Sequence, residues 1–374
     1  MAGISIIIKN RKMKYLLIKK ILLLSLLYIY SSSVAQDLPS ATNAAPSLSE
    51  EGSYTWILLP DPQTYSKFGR NQSIFVNMID WINDQNDNLN IQMVLCTGDL
   101  VEQNNIVIPD SINGDQSSHA QWQFISSAFY KLNNKVPYIL CTGNHDYGTK
   151  SAENRYSQFN SYFPPQINPL NDKIILETFP NAEGANTLEN AAYVWDDPSG
   201  RSFLIFSLEF APRMEVIKWA DSLAKVPQYK EHLGVLLTHS YLNSDGRRTH
   251  QENYPLKNAH YGKVIWDKFV SQSPQVQFVF AGHIANSDTH RDQVGYRQDK
   301  NAHGKPVHQM LFNAQREGGG WHGNGGDGWL RILEFIPQQR KVKVKTFSPY
   351  FFISPGMRSN AWRTAEYDEY EMIY

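Results

Sequence analysis

Short apolar runs separated by amphipathic stretches dominate the chain from residue 54 onward. Five runs have the length and apolar character of buried strands. They occupy residues 56–59, 91–95, 137–142, 233–237 and 276–280. Between the first three runs, residues 70–85 and 120–132 carry apolar side chains at helical spacing. This β-α-β-α-β order predicts a parallel sheet with crossover helices.

The rest of the chain predicts a second group of strands. They are indicated at residues 193–195, 202–207, 307–312, 329–336 and 341–347. The first two suit a hairpin around residues 198–200, and the last alternates at Val342 and Val344, which is typical of a half-solvated edge. Residues 152–162 and 214–223 suit helices. We therefore predict one α/β domain with two β-sheets and flanking helices.

Polar side chains that bind metals or move protons follow five of the predicted strands. They are Asp61-Pro-Gln63, Gly98-Asp99, Gly143-Asn144-His145-Asp146, Thr238-His239 and Gly282-His283. Ligands gather outside the carboxyl ends of strands in open α/β sheets. Carboxylate, amide and imidazole groups that converge there suit divalent metals such as Mn, Zn or Fe. The pattern predicts a metal site at one edge of the sheet.

In this order, the motifs resemble those of the calcineurin-like metallophosphoesterase superfamily, and the resemblance runs from about residue 54 to residue 347. It implies two mainly mixed β-sheets packed as a sandwich with flanking helices. It also implies two metals and a bridging hydroxide that attacks phosphorus. Asp99 matches the ligand shared by both metals. Asn144, His239 and His283 match the other ligands of one metal, and Asp61 matches a ligand of the second.

The resemblance also assigns the proton chemistry. His145 matches the histidine that protonates the leaving oxygen or steadies its charge. Asp146 is expected to hold the imidazole of His145 in the required tautomer. Glu102 and Asn104, three and five residues beyond Asp99, are expected within reach of the site, and a solvated loop position is the alternative for each.

Two departures from the family pattern affect the second metal. Gln63 and Ala285 stand where the family has histidines. An amide oxygen binds Zn more weakly than imidazole does. The second metal therefore binds loosely as Mg or Mn, or a histidine such as His322 or His290 replaces the missing ligands, or the site holds one metal. We predict two divalent ions (Mn, Zn, Fe or Mg), with the site that contains Gln63 weakened.

Loops beyond the strand ends are expected to form the substrate pocket. They span residues 147–190, 240–258 and 315–329, and the last holds seven glycines in fifteen residues. The candidate substrate contacts are Asn104, Arg247, Arg248, Trp321 and His322. Guanidinium groups suit phosphate oxygens, although a charged pair on a solvated turn is the commoner arrangement. A plain turn is the alternative for the glycine-rich loop.

Composition indicates a globular protein that carries an export signal. The chain has 374 residues, of which 41% are hydrophobic and 19% charged. Residues 1–35 combine six basic residues, an apolar run and Ser33-Val34-Ala35, which together suit a cleaved signal peptide more than a membrane anchor. We predict a flexible leader at 36–52, a metallophosphoesterase domain at 53–350 and a C-terminal extension at 351–374 packed on or near it. A secreted or periplasmic location follows, without a membrane span after cleavage.

The net charge and the two cysteines say more about the class of protein. Without the six basic residues of the segment 1–35, the formal net charge falls from −1 to −7. A mildly acidic protein lacks the excess of positive charge that is typical of a dedicated nucleic-acid binder. Cys96 and Cys141 are expected as buried thiols, with a disulfide as the alternative.

The sequence thus predicts a metal-dependent phosphoester hydrolase that acts on a phosphorylated small molecule or glycan. The motifs do not separate monoesters from diesters and give no oligomeric state. One alternative is a phosphodiesterase acting on nucleotide, lipid head-group or glycan phosphates. Another is a binding module that keeps the fold and one metal but has lost catalysis.

Overall fold

Two seven-stranded β-sheets form the centre of the computed structural model, which describes residues 44–110, 112–285 and 287–374. Residues 45–374 make one compact unit. The predicted signal peptide and residues 36–43 of the predicted leader lie outside the described residues.

The strands and helices follow each other as the alternating pattern predicts. The strands are β1 (Tyr54–Leu59), β2 (Ile91–Cys96), β3 (Tyr138–Leu140), β4 (Ile175–Pro180), β5 (Asn186–Asp196), β6 (Ser202–Ser207), β7 (Leu233–Leu237), β8 (Val276–Ala281), β9 (Val294–Lys300), β10 (Pro306–Phe312), β11 (Leu330–Ile336), β12 (Lys341–Phe347), β13 (Trp362–Arg363) and β14 (Tyr370–Ile373). The α-helices are α1 (Gln63–Lys67), α2 (Gln72–Gln85), α3 (Ser118–Tyr130), α4 (Phe159–Tyr162), α5 (Pro169–Asp172), α6 (Met214–Ala224), α7 (Gly262–Ile265) and α8 (Pro349–Ile353). A π-helical stretch, Trp266–Val270, continues α7. Short 3₁₀ turns lie at Gly69–Asn71, Asn144–Asp146, Pro227–Tyr229, His290–Gln293, Gly320–His322, Pro337–Gln339 and Arg358–Asn360.

Both sheets are mixed, and each has a parallel section that ends beside the site. In the first sheet the order is β13-β12-β11-β1-β2-β3, with β14 also paired to β12. Strands β1, β2 and β3 are parallel, and β11 is antiparallel to β1. The second sheet has the order β4-β5-β6-β7-β8-β10-β9, with β6, β7, β8 and β10 parallel. The predicted fold class, two mixed sheets with flanking helices, is confirmed.

Aromatic residues fill the space between the sheets. Trp56 of β1 lies with ring centroids 5.1 Å from Phe203 of β6 and 4.9 Å from Phe335 of β11. All three side chains are fully buried. Because the hydrophobic effect scales with the apolar area removed from water, this aromatic layer is a main source of the cohesion between the sheets.

The amphipathic helices bury the faces that their spacing predicts. Helix α2 buries Ile74, Phe75, Met78 and Ile82. Helix α3 begins after Ser117, whose hydroxyl accepts a hydrogen bond from the Ala120 backbone N–H. The helices predicted at 70–85 and 120–132 are therefore confirmed within two residues at each end, the usual uncertainty of helix boundaries.

Three local predictions were wrong. The helix predicted at 152–162 is limited to Phe159–Tyr162, since Ala152 has a positive φ that an α-helix excludes. Strand β4 lies inside the predicted polar loop. Strand β12 alternates as expected but lies inside the sheet, between β11 and both β13 and β14. Alternation reports which faces are buried and says nothing about which edges are paired.

The remaining predictions concern the cysteines and the chain's last residues. Cys96 and Cys141 are buried free thiols, as preferred from the sequence. Residues 351–374 contribute β13 and β14 to the first sheet. None of the helices in the described part of the chain is both long and apolar enough to cross a membrane.

Candidate metal centre

Five parallel strands end near one another and deliver the polar residues that the sequence singled out. Asp61, Asp99 and Asn144 follow β1, β2 and β3, and His239 and His283 follow β7 and β8. All except the half-buried His283 are buried. The strand-end topology therefore brings together residues up to 222 positions apart in the sequence.

The backbone at this edge is held in unusual conformations. Asp99 and His283 have φ values of 48° and 76°, in the left-handed region that non-glycine residues rarely adopt. A side chain on Gly143 would overlap the Asp99 carboxylate, and one on Gly282 would overlap Asp61. Such strain persists where the surrounding structure fixes it, commonly at functional sites.

The side chains converge through atoms that carry lone pairs. The Nε2 atom of His239 lies 3.2 Å from Asp99 Oδ2, 3.2 Å from Asn144 Oδ1 and 3.2 Å from His283 Nδ1. Ligand atoms of Asp99, His239 and His283 all lie within 4.8 Å of one another. This is the spacing of atoms that share a single ion.

Hydrogen bonds on the far side of each imidazole fix where the protons are. His239 Nδ1 lies 2.7 Å from the carbonyl oxygen of Thr97, which can only accept, so Nδ1 carries the proton. His283 Nε2 lies 2.9 Å from Glu252 Oε1, so its proton sits there. The inward-facing nitrogens are then both lone pairs. Outer partners of this kind orient metal-binding histidines.

Four lone pairs pointing at one place repel one another unless a positive charge lies between them. Before a cation binds, a proton on His239 supplies part of that charge, and the pKa values of His239 and Asp99 are shifted accordingly. Burial lowers the pKa of His239, but the charges of Asp99 and Asp61 outweigh burial and raise it. Burial raises the pKa of Asp99, but His239 and His145 outweigh it and hold the pKa below its usual range. The residues present therefore fit a divalent cation.

His145 is held beside this cluster by two contacts. Its backbone N–H donates to Asp99 Oδ1 at 2.9 Å, and its Nδ1 donates to the Glu102 carbonyl at 2.6 Å. Burial lowers the pKa of His145, but Asp99 and Glu102 raise it overall. The tautomer leaves Nε2 available for proton exchange.

The predicted role of Asp146 needs correction. Its carboxylate accepts hydrogen bonds from the Gly143 N–H at 2.8 Å and the Val101 N–H at 3.2 Å, and it does not hold the His145 ring. The 3₁₀ turn Asn144–Asp146 directs this side chain back to the residue before the turn. Asp146 therefore stabilises the turn, and the carbonyl of Glu102 orients the imidazole.

The half of the centre around Asp61 is built differently. Asp61 Oδ1 accepts from the Thr97 hydroxyl at 2.6 Å. Asp61 Oδ2 accepts from the His283 N–H at 2.8 Å and from Asn313 Nδ2 at 2.6 Å. Gln63 is fully buried, and neither atom of its amide has a hydrogen-bond partner among the described residues.

Three of the residues predicted to contact substrate instead bind other groups of the protein. Asn104 donates to the Gly148 carbonyl at 2.8 Å and accepts from the Gln158 N–H at 2.9 Å, so it ties two loops together. Arg248 lies 3.6 Å over the Trp266 ring and pairs with Asp299. Arg247 pairs with Asp245 at 2.6 Å on an exposed turn. Their local hydrogen bonds and ion pairs account for all three without a substrate.

The histidines proposed to replace the missing ligands also have other partners. His290 is buried and lies 2.7 Å from Asp368 Oδ1. His322 is exposed, and its ring lies 6.1 Å from that of Phe68, beside a cavity of about 530 Å³. The cluster of potential metal ligands found in the described part of the chain contains neither.

Trp321 is the substrate candidate that does lie beside the centre. Its ring centroid is 6.1 Å from that of His145. Lys67 Nζ lies 3.7 Å over the Trp321 ring and 3.4 Å from Glu102 Oε2. Burial lowers the pKa of Lys67 to about 8.

Sequence reasoning missed four residues that shape the site: Lys67, Thr97, Glu252 and Asn313. Asn313 follows β10 directly, so the strand-end pattern could have found it. Thr97 acts partly through its carbonyl, which no side-chain pattern reports. Lys67 and Glu252 lie in a short helix and a loop. Only the tertiary structure brings them to the centre.

The chain is similar to known proteins and to one protein family. The chain is 28% identical over 301 residues to YvnB of Bacillus subtilis (strain 168), covering 79% of this chain and 20% of that protein. It therefore spans about a fifth of the length of this curated relative. GAP50, the anchor in the inner membrane complex of Plasmodium, aligns with a TM-score of 0.41 and 10% identity over 79% of this chain and 85% of that one. The model of the calcineurin-like phosphoesterase family matches residues 67–287, and the chain belongs to that family.

Proposed function

We propose that this protein hydrolyses phosphoesters at the centre formed by Asp99, Asn144, His239 and His283. The observation that carries the proposal is the convergence of four lone pairs, with both imidazole protons directed outward to Thr97 and Glu252. Membership of the family supports metal-dependent phosphoester hydrolysis in general. A divalent cation held there would neutralise phosphate charge and lower the pKa of a bound water.

His145 supplies the proton chemistry in this proposal. Its Nδ1 is committed to the Glu102 carbonyl, so Nε2 is the atom that exchanges a proton with the leaving oxygen. The raised pKa favours the protonated ring that this step requires. Trp321 and Lys67 form the adjoining wall. No protein nucleophile is needed, because water attacks phosphorus directly.

The proposed substrate is a phosphorylated small molecule or glycan, and both monoesters and diesters remain within the proposal. The net charge of −7 calculated without residues 1–35 supports a substrate other than bulk nucleic acid. The basic and apolar composition of residues 1–35 supports a secreted or periplasmic location.

A metal titration of the chain from Gln36 onward tests the proposal. The protein is stripped of metal, Mn is titrated, and turnover of p-nitrophenyl phosphate and bis(p-nitrophenyl) phosphate is measured. We expect metal-dependent turnover that Asn144→Ala reduces by more than about 100-fold, because a ligand is lost. The control is Asn88→Ala, at an exposed position whose side chain donates to Gln85 Oε1 at 3.4 Å.

Two results would contradict the proposal. Turnover that survives Asn144→Ala would place the chemistry elsewhere. Tight binding of one metal without turnover of either ester would favour the alternative of a binding module.

A further inference from the structure

We infer that the centre holds one metal ion, and that the Gln63 amide replaces the second ion as a ligand of the substrate's phosphoryl oxygen. This inference rests on the proposed function, because it names how that same site takes its substrate. It concerns two residues that a two-metal site would use as metal ligands, Asp61 and Gln63.

Asp61 has little capacity left for a metal. Its two carboxylate oxygens already accept three hydrogen bonds, from Thr97, His283 and Asn313. Each of the three contacts is between 2.6 and 2.8 Å. A carboxylate has about four lone-pair positions, so one remains, on Oδ1, and a cation that took more would leave buried donors unpaired, which is unfavourable. Asp61 thus positions His283, whose left-handed backbone (φ 76°) donates to it.

Few other donors are available to a second ion. Ala285 provides no ligand atom. Asp99 directs Oδ2 to His239, and its Oδ1 accepts from the His145 N–H. Gln63 alone would offer one amide oxygen. An amide oxygen is a weaker ligand than the imidazoles of the His239 half, so this set should hold a second ion far less tightly than that half holds the first.

The Gln63 side chain has the properties of a substrate ligand. It is fully buried at the start of α1, two residues after Asp61, and both amide atoms lack partners among the described residues. Buried amides are normally hydrogen-bonded, and an exception calls for a water, an ion or a ligand. An amide NH₂ donates to a phosphoryl oxygen, which is the interaction that a second cation would otherwise supply.

Metal counting and phosphate binding test the inference without turnover. Metal per chain is measured by elemental analysis at saturating Mn, and electron paramagnetic resonance separates isolated from coupled Mn(II). Inorganic phosphate binding to the Mn-loaded protein is measured by calorimetry. We expect one isolated Mn per chain. In Gln63→Leu we expect the same count and phosphate binding weakened about tenfold, the size of a lost hydrogen bond to a charged group.

The matched control is Gln277→Leu. Gln277 is also buried, near the amino end of β8, whereas His283 follows the carboxyl end of that strand. This control should leave phosphate binding unchanged, and circular dichroism should show all three proteins folded.

Three results would overturn the inference: two Mn per chain, a coupled Mn pair, or loss of metal in Gln63→Leu. Unchanged phosphate binding in Gln63→Leu would overturn the role of the amide. If phosphate and one Mn bind as expected but neither ester is hydrolysed, the proposed function fails while the inference about the site stands.

Discussion

The two halves of the centre use the same topology for opposite purposes. In the half around His239, the side chains at strand ends direct lone pairs at one another, and their protons point away. In the half around Asp61, protein N–H and O–H groups already surround the carboxylate. A position at a strand end therefore makes a residue available to a site. The donors around it decide whether it binds a metal or holds the backbone.

The largest expected effect comes from removing a ligand of the first half. His239→Ala should abolish Mn binding and reduce turnover by more than about 100-fold, since it removes the atom at the centre of the cluster. Calorimetry with Mn and the ester assays measure both. His303→Ala, at an exposed position, is the control. Normal Mn binding by His239→Ala would contradict the assignment of the metal to the half around His239.

The next largest expected effect is the binding of an additional metal ion in the half around Asp61. The double substitution Gln63→His with Ala285→His should add one Zn per chain, because two imidazoles supply the nitrogen donors that the Asp61 half lacks. Elemental analysis after dialysis against Zn measures the change. An unchanged count would mean that the hydrogen bonds to Asp61 alone decide the occupancy of this half.

Loss of stability should be the main effect at Asp61. Asp61→Asn presents an NH₂ group to donors that need an acceptor, which should lower the free energy of unfolding by about 2–3 kcal/mol. Thermal unfolding with Mn present measures the shift, with the exposed Asp87→Asn as control. We expect the Mn count to stay at one. A drop to none, without loss of stability, would make Asp61 a metal ligand.

The smallest expected effect concerns the wall beside His145. Trp321→Ala should raise KM about fivefold and leave the Mn count unchanged, because it removes an aromatic contact worth about 1 kcal/mol. Steady-state kinetics on the better nitrophenyl ester measure KM. Trp219→Ala, at another half-buried tryptophan, should have no effect on KM. A changed Mn count in Trp321→Ala would show that this wall supports the metal ligands directly.

The sequence predicted the fold and the location of the site for one physical reason. Apolar runs and helical spacing record which faces are buried, and strand ends such as those before Asp99 and His239 follow from them. Hydrogen-bond partners do not follow in the same way. The predicted role of Asp146 failed because a single 3₁₀ turn directs its carboxylate to Gly143.

The substrate contacts were the least predictable part. Arg248 looked available for phosphate, but its guanidinium packs on Trp266 and pairs with Asp299, which is 51 residues away in the sequence. Asn104 was likewise assigned to substrate and instead ties loops together. Such partners depend on how loops fold over the sheets, and loops carry no periodic signal.

The left-handed backbones of Asp99 and His283 bear on how quickly the protein acquires its metal. Hydrogen bonds to the surrounding protein hold both residues in these conformations. An arriving ion then meets ligands that need no rearrangement, so loading should be limited by diffusion and the shedding of hydration water. For the exported protein that we propose, metal uptake after folding would need little rearrangement, and the ions available there would decide which metal it takes.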